Sequence, residues 1–234
     1  MDHKICLITG VGDGTGASVA RRFARDGYRV ALLARNRERL AELENELPGS
    51  RSFAFDLEDT EHLIDVCRQV KDDIGAPEVI VHNAVRATFK PFLEADPNEL
   101  ERNFRVNTTS LLHMARELTP SMVERGSGAI IVTGNTAALR GVPNYALFAP
   151  TKAAQRILAQ SLARELGPKG IHVAYVVIDA AIDTPWTRLP FNPDMPEEFF
   201  SKPNAIADEV FHIAHQDRST WSFDVELRPY GEKW

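Results

Sequence analysis

The chain has 234 residues, two cysteines and a formal net charge of −6, and its composition is ordinary for a globular protein. These values exclude a disulfide framework, and the scattering of both charge signs argues against a nucleic-acid or membrane surface. The N-terminus enters a strand directly and no apolar run could span a bilayer, so we expect a cytoplasmic protein without a signal peptide.

Short apolar runs alternate with helical patterns along the chain. The predicted strands are 5–8, 30–33, 52–55, 79–82, 129–132, 172–178 and about 223–227. The predicted helices are 17–26, from 35 to about 47, from 63 to near 75, from 97 to about 125, 153–166 and about 205–214. This alternation predicts an α/β fold, a doubly wound parallel sheet of about seven strands with helices on both faces. Nothing indicates a second domain, so residues 1–234 are predicted to form one domain.

A glycine-rich loop, Thr9-Gly10-Val11-Gly12-Asp13-Gly14-Thr15-Gly16, joins the first strand to the first helix. The unpaired N–H groups at a helix N-terminus favour an anion, and glycines let a diphosphate approach the backbone closely. Glycine also serves ordinary turns, but a strand before and a helix after the loop are the context of a dinucleotide-binding fingerprint. The loop therefore predicts a Rossmann-type cofactor site formed by Gly10, Gly12, Asp13, Gly14, Thr15 and Gly16.

This pattern resembles the short-chain dehydrogenase/reductase family over nearly the entire chain. The glycine-rich loop matches the family's T-G-x-x-x-G-x-G, and Asp56, followed by Leu57, matches the aspartate that meets the adenine. Half of the family's Asn-Asn-Ala-Gly is kept in His82-Asn83-Ala84-Val85, and Asn107 matches the helix asparagine. The resemblance implies that Asp56, Leu57, Asn83 and Ala84 bind the cofactor and that Asn107 belongs to the catalytic frame.

The active-site frame departs from the family. Similar proteins carry Tyr-x-x-x-Lys, in which the tyrosine transfers the substrate's proton and the lysine holds the nicotinamide ribose, with a serine thirteen residues before the tyrosine. Lys152 fits this frame, but Phe148 and Asn135 occupy the tyrosine and serine positions. Because a phenyl ring transfers no proton, its presence is expected to cost about 10²–10⁴ in rate unless another group replaces the acid.

The predicted site also draws on Asn135, Tyr145 and Thr184. Asn135 can still donate a hydrogen bond to a carbonyl oxygen. Tyr145 could replace the missing acid if Pro150 disturbs the helix start, although an ordinary half-buried tyrosine explains it more simply. Thr184 keeps the position that meets the nicotinamide carboxamide in similar proteins, while the family's preceding Pro-Gly has become Asp179-Ala180.

The end of the second strand bears on the choice of cofactor. A dinucleotide without the 2′-phosphate needs a carboxylate there, whereas the phosphorylated form needs a cation. Arg35 stands at this position without an acid beside it, so NADP(H) is favoured and NAD(H) stays the alternative. Asp13 argues the other way because it would repel a 2′-phosphate, and Arg35 alone could be a solvated surface residue.

The stretch 185–203 is rich in Pro and Phe and predicts a long loop or short irregular helices. In similar proteins this segment closes over the substrate. Its aromatic residues are Trp186, Phe191, Phe199 and Phe200. They would suit a lid over an apolar substrate, or they simply pack the edge of the domain.

Two functions stay open. The first is an NAD(P)-dependent oxidoreductase that prefers NADPH and transfers hydride to or from a small carbonyl, alcohol or imine substrate with an atypical proton donor. The second is a catalytically silent NADP(H)-binding protein that acts as a sensor or interaction partner.

The resemblance also implies a homodimer or homotetramer, paired through the helices near 97–125 and 145–166. His212 and His215 lack supporting cysteines or carboxylates, so no metal is expected.

Overall fold

The computed structural model describes residues 4–191 and 194–231. In this part of the chain, seven parallel strands form one sheet. They are Ile5–Thr9 (β1), Arg29–Ala34 (β2), Arg51–Ala54 (β3), Val79–His82 (β4), Gly128–Asn135 (β5), Ile171–Ile178 (β6) and Asp224–Leu227 (β9). Their order across the sheet is β3-β2-β1-β4-β5-β6-β9. The predicted doubly wound parallel sheet is confirmed. The strand order reverses between β1 and β4, which is where ligands bind in open α/β sheets, outside the carboxyl ends of the strands.

Helices cover both faces of the sheet. They are Thr15–Arg25 (α1), Arg37–Glu46 (α2), Leu63–Asp73 (α3), Pro97–Phe104 (α4), Ser110–Arg125 (α5), Ala149–Leu166 (α6), Pro185–Phe191 (α7) and Pro203–Ala214 (α8). Successive strand residues point to opposite faces, so Leu7 packs in the core with α3, α5 and α6 while Ile8 packs with α1, α2 and α8. No helix of the described residues is both long and apolar enough to cross a membrane.

The predicted helix from 97 to about 125 is present, but a π-helical turn at Arg105–Thr109 separates α4 from α5. Nothing in the hydrophobic spacing indicated this turn. A π turn widens the helix locally and often lies at a functional site. Here it carries Asn107 and lies against α6.

The start of α6 corrects one expectation. The helix begins at Ala149 rather than near residue 153, and Pro150 lies in its first turn. Proline is tolerated there because the first-turn N–H groups have no partner within the helix, so the expectation that Pro150 disturbs the helix is wrong. Tyr145 precedes the helix in a turn, and its main-chain oxygen accepts a hydrogen bond from the Phe148 N–H at 2.9 Å.

The segment after β6 contains more regular structure than its composition suggested. Ala181–Ile182 (β7) and Phe200–Ser201 (β8) pair as a short parallel ladder, with α7 between them. Residues 192–193 and the side chain of Phe191 lie outside the described part.

Candidate functional site

A cavity of about 790 Å³ opens at the carboxyl ends of the first four strands. Its lining consists of Gly10, Val11, Gly12, Leu33, Ala34, Arg35, Asn36, Arg39, Phe55, Asp56, Leu57, Ala84, Val85, Arg86, Ala87 and Val106. The predicted cofactor residues among these are Gly10, Gly12, Arg35, Asp56, Leu57 and Ala84. The fold therefore brings residues from four separate loops to one cleft at the point where the strand order reverses.

The glycines of the loop differ in what surrounds them. Gly10 has a φ of +69°, and a Cβ on it would lie 2.5 Å from the Ala84 Cα. A Cβ on Gly16 would lie 2.3 Å from the Gly10 carbonyl oxygen, whereas one on Gly12 would meet nothing within 4 Å. Gly10 and Gly16 thus let the backbone pack tightly, and Gly12 leaves room over the loop.

The N-terminus of α1 has polar groups that the chain does not satisfy. Gly14 is the N-cap and offers no side-chain acceptor to the first-turn N–H groups. The hydroxyl oxygen of Thr15 is buried and has no hydrogen-bond partner among the described residues. Donors of this kind at the positive end of a helix fit an anion such as a diphosphate.

Asn83 shapes the loop rather than lining the cavity. Its Nδ2 donates to the Gly10 carbonyl at 2.9 Å, and its Oδ1 accepts from the Thr133 hydroxyl at 2.9 Å. The Thr9 hydroxyl oxygen accepts hydrogen bonds from the N–H groups of Asn83 and Ala84, both at 3.2 Å. These bonds tie the ends of β1, β4 and β5 together beneath the cavity.

His82 is fully buried and neutral behind the same loop. Its Nε2 lies 3.0 Å from the Ser110 hydroxyl, which itself donates to the Val106 carbonyl, so Nε2 carries the proton. Its Nδ1 lies 3.4 Å from the Thr9 hydroxyl. Burial, followed by the nearby Lys152 charge, lowers the pKa of His82 to about 3. The sequence showed that His82 departs from the family pattern, but it did not show this contact with the π turn region.

Charged side chains surround the far end of the cavity. Asp13 pairs with Arg39, Oδ1 to Nε, at 2.6 Å, and the Arg35 guanidinium lies 3.8 Å from the Asp56 carboxylate. Asn36 caps α2, because its Oδ1 accepts from the Arg39 N–H at 3.0 Å. Arg35 was among the predicted cofactor residues, whereas Arg39, about one helical turn later, was not.

Asn107 is fully buried in the π turn and its side chain is occupied. Its Oδ1 accepts from the Arg86 N–H at 2.9 Å, and its Nδ2 lies 2.8 Å from both the Arg86 carbonyl and the Thr151 hydroxyl. The Thr108 hydroxyl also donates to the Thr151 carbonyl at 2.8 Å. Asn107 therefore joins the loop after β4 to the start of α6.

Lys152 is buried in the same region and is 2% exposed. Its Nζ donates to the Thr133 carbonyl at 3.3 Å and to Gln155 Oε1 at 2.5 Å. Burial lowers the pKa of Lys152 to about 7. Gln155 was not among the predicted site residues, and its place three residues after Lys152 on α6 is the sequence signal that could have indicated it.

Phe148, Phe89 and Tyr145 form an aromatic cluster where the acid is expected. The ring centroid of Phe89 lies 4.7 Å from that of Tyr145 and 5.3 Å from that of Phe148. The ring centroids of Tyr145 and Phe148 are 6.0 Å apart. Phe148 is 2% exposed, whereas Phe89 is 50% exposed and covers it. The ring of Phe148 is therefore covered by neighbouring aromatic side chains.

Asn135 ends β5 and caps the short helical turn that follows it. Its Oδ1 accepts from the Ala137 N–H at 3.1 Å. Its Nδ2 has no hydrogen-bond partner in residues 4–191 and 194–231, so this group can still donate to a ligand.

Thr184 places the segment after β6 against the glycine loop. It is 3% exposed, and its hydroxyl lies 2.8 Å from that of Thr187. A Cβ on Gly14 would lie 3.0 Å from the Thr184 methyl and 3.3 Å from the Trp186 ring. The side chains of Thr184 and Trp186 thus lie against the N-terminus of α1.

The comparisons with known proteins agree with this architecture. The family model described as short chain dehydrogenase matches residues 4–189. D-erythrulose reductase of Gallus gallus is 34% identical over 168 residues, 71% of this chain and 67% of that protein. A short-chain dehydrogenase from Rhodopseudomonas palustris is 31% identical, with a TM-score of 0.81 over 97% of this chain and 99% of that one. A metagenomic short-chain oxidoreductase solved in complex with NADP is 27% identical, with a TM-score of 0.83 over 97% of both chains. The chain therefore belongs to the short-chain dehydrogenase/reductase family.

Proposed function

We propose that this protein binds a nicotinamide dinucleotide at the carboxyl edge of the sheet and transfers hydride to or from a small carbonyl, alcohol or imine. The glycine-rich loop carries the proposal, because the start of α1 combines a helix end without a side-chain cap with the unpartnered Thr15 hydroxyl. A diphosphate in the open space over Gly12 would satisfy these donors. The related metagenomic oxidoreductase bound to NADP supports the same use of the fold. The bound nicotinamide would supply or accept the hydride.

The charges around the cavity favour NADPH over NADH. Arg35 and Arg39 both line it, and either guanidinium could pair with a 2′-phosphate. No acidic side chain follows β2 directly, where a ribose-binding carboxylate would be needed. Asp13 competes for Arg39, so we propose a moderate preference for NADP(H).

On the nicotinamide side, we assign Lys152 to the ribose hydroxyls, Thr184 to the carboxamide and the Asn135 Nδ2 to the substrate oxygen. Phe148 has no proton to give. Tyr145 lies beside it in the aromatic cluster, its hydroxyl has no hydrogen-bond partner among the described residues, and we assign it as the atypical donor. Asn107 holds the loop after β4 against α6 without touching the substrate.

Residues 1–234 would act as a single domain, with 185–203 as a lid over the substrate. The contact of Trp186 with the glycine loop supports this role. The apolar residues Leu112 on α5 and Ile157 on α6 are 40% and 54% exposed, which supports a homodimer or homotetramer paired through these helices. Light scattering at micromolar concentration tests the assembly, and a monomer mass would contradict it.

Calorimetry and turnover test the function separately. We expect NADP⁺ to bind the folded protein with measurable heat, and NADPH to be consumed with at least one member of a panel of ketones, aldehydes and cyclic imines. Consumption is read at the nicotinamide absorbance. The absence of binding by any nicotinamide dinucleotide to folded protein would overturn the proposal.

The covered Phe148 favours a second candidate, a silent NADP(H)-binding sensor or interaction partner. Only 2% of this residue is exposed, so substrate has little access to the acid position. Binding of NADP⁺ without turnover of any substrate in the panel would select this candidate.

A further inference from the structure

Gln155 is fully buried on α6, and its amide is hydrogen-bonded at both ends. Oε1 accepts from Lys152 Nζ at 2.5 Å and from the Tyr175 hydroxyl at 3.2 Å. Nε2 donates to the main-chain oxygen of Asn107 at 2.6 Å. Because an ammonium only donates, the amide oxygen must face Lys152, and this fixes the orientation of the amide. One side chain thus connects α6 to β6 and to the π turn.

The hydrogen-bond partners of the Lys152 ammonium are neutral groups. The groups that face its ammonium are the Thr133 carbonyl on β5, Gln155 on α6 and the neutral His82 on β4. Tyr175 on β6 donates to the same Gln155 oxygen. No carboxylate within residues 4–191 and 194–231 forms an ion pair with Lys152, and the two charged side chains that act on Tyr175, Arg156 and Asp224, are paired with each other. Lys152 therefore has only neutral acceptors, and Gln155 provides the shorter of its two hydrogen bonds.

Packing alone does not explain an amide at this position. A buried amide costs free energy unless it is hydrogen-bonded, and a methionine or leucine would fill similar space without that requirement. The amide is useful here because it combines an acceptor for Lys152 with a donor for Asn107. No apolar side chain offers both.

We propose that Gln155 is a positioning residue for the cofactor: it holds the Lys152 ammonium where that group meets the nicotinamide ribose, and it fixes the π turn with the same amide. This inference rests on the role proposed above for Lys152. The protein thereby keeps a cationic side chain in a buried site where the described part of the chain offers it no carboxylate partner.

The pH dependence of NADP⁺ binding tests the proposal. In the wild type, affinity should fall as pH rises through about 7, because Lys152 loses its charge there. Gln155→Met removes the acceptor at similar volume and should weaken binding about tenfold at pH 7 and move the transition to lower pH. Gln155→Glu places a carboxylate beside the ammonium and should move the transition to higher pH. Calorimetric titrations from pH 6 to 9 measure both effects, with thermal unfolding to verify the fold.

Two controls separate the possible failures. Gln160→Met makes the same change at a half-buried position of α6 without a hydrogen bond in the described chain, and should leave affinity and transition unchanged. Lys152→Met should abolish the change in NADP⁺ affinity near pH 7. Any pH dependence that remains in this variant belongs to other groups, including the 2′-phosphate of the cofactor. If Lys152→Met binds like the wild type at every pH, the role proposed for Lys152 is wrong.

If Lys152→Met binds weakly but both Gln155 variants match the wild type, only the present inference is wrong. If Gln155→Met does not fold, Gln155→Glu provides the test. The inference is overturned if NADP⁺ affinity of Gln155→Glu falls at the same pH as that of the wild type.

Discussion

The Arg39 Nε lies 2.6 Å from the Asp13 carboxylate, so an ion pair connects the glycine-rich loop to the start of α2 across the cofactor cavity. Both side chains are about half exposed. Solvent therefore weakens the pair, and a dianionic phosphate could replace Asp13 as the partner of Arg39.

Removing the Asp13 charge should strengthen NADP⁺ binding. Asp13→Asn frees Arg39 and removes a repulsive charge, so we expect a gain of about two- to fivefold for NADP⁺ and a smaller change for NAD⁺. Calorimetry with both dinucleotides measures the difference. Asp72→Asn, an exposed change on α3 without an ion pair in the described chain, is the control. Equal gains for the two cofactors would show that Asp13 does not sense the 2′-phosphate.

Removing the two cavity arginines should reverse the preference. Arg35→Ser combined with Arg39→Ser is expected to weaken NADP⁺ binding by about tenfold or more, with little effect on NAD⁺. Arg37→Ser is a matched control, because Arg37 is exposed at the start of α2 and does not line the cavity. Thermal stabilisation by each cofactor gives an independent measurement. An unchanged ratio of the two affinities would contradict our assignment of this end of the cavity.

Phe148→Tyr should restore the missing acid. A phenol at this position, beside Lys152 one helical turn later, is expected to raise carbonyl reduction by about 10²–10⁴ if the pocket is otherwise competent. The initial rate of NADPH oxidation measures the change. Phe89→Tyr adds the same hydroxyl to the neighbouring ring and should not produce this gain. No increase in a folded Phe148→Tyr variant would favour the silent binding protein.

His82 predicts an acid-dependent loss of stability. Its pKa is lowered to about 3 in the folded state, below its usual value, so the unfolded chain binds more protons between about pH 3 and 6.5. The contribution of this group to stability is complete above about pH 6.5 and falls by at most about 1.4 kcal/mol per pH unit as the pH decreases. Urea unfolding at pH 7, 6 and 5 measures the slope. His82→Asn should reduce the fall in unfolding free energy between pH 7 and 5. His62→Asn is the control and should not reduce it, because His62 is exposed and its pKa is raised by Asp59. Identical slopes for wild type and His82→Asn would refute this role of burial.

Most of the fold was predictable because its determinants are local. The apolar run 5–8 and the glycines after it specify a strand, a tight turn and a helix start from neighbouring residues alone. The contacts that define the site are not local. Gln155 meets Asn107 and Tyr175 only through packing of α6 against the π turn and β6. Asp13 meets Arg39 only when the loop after β1 and the start of α2 come together at the carboxyl edge of the sheet.

The Pro150 prediction was wrong for a related reason. A proline disturbs a helix interior but suits its first turn, and the periodic pattern placed the helix start too late to distinguish these positions. Phe148 and Asn135 were identified from their positions in the frame. The sequence did not reveal that Phe89 covers Phe148 or that Asn135 caps the turn after β5.

The contact between Trp186 and Gly14 provides the chain with an intrinsic optical probe. An indole beside the proposed diphosphate loop should change its emission when a dinucleotide arrives, so association rates become measurable by stopped flow without any attached dye. Trp221 stacks on His172 at the opposite end of the sheet strands, and Trp221 and Trp234 together supply a background of tryptophan fluorescence. A Trp186→Phe variant would isolate that background and show which part of the fluorescence change reports binding of the dinucleotide.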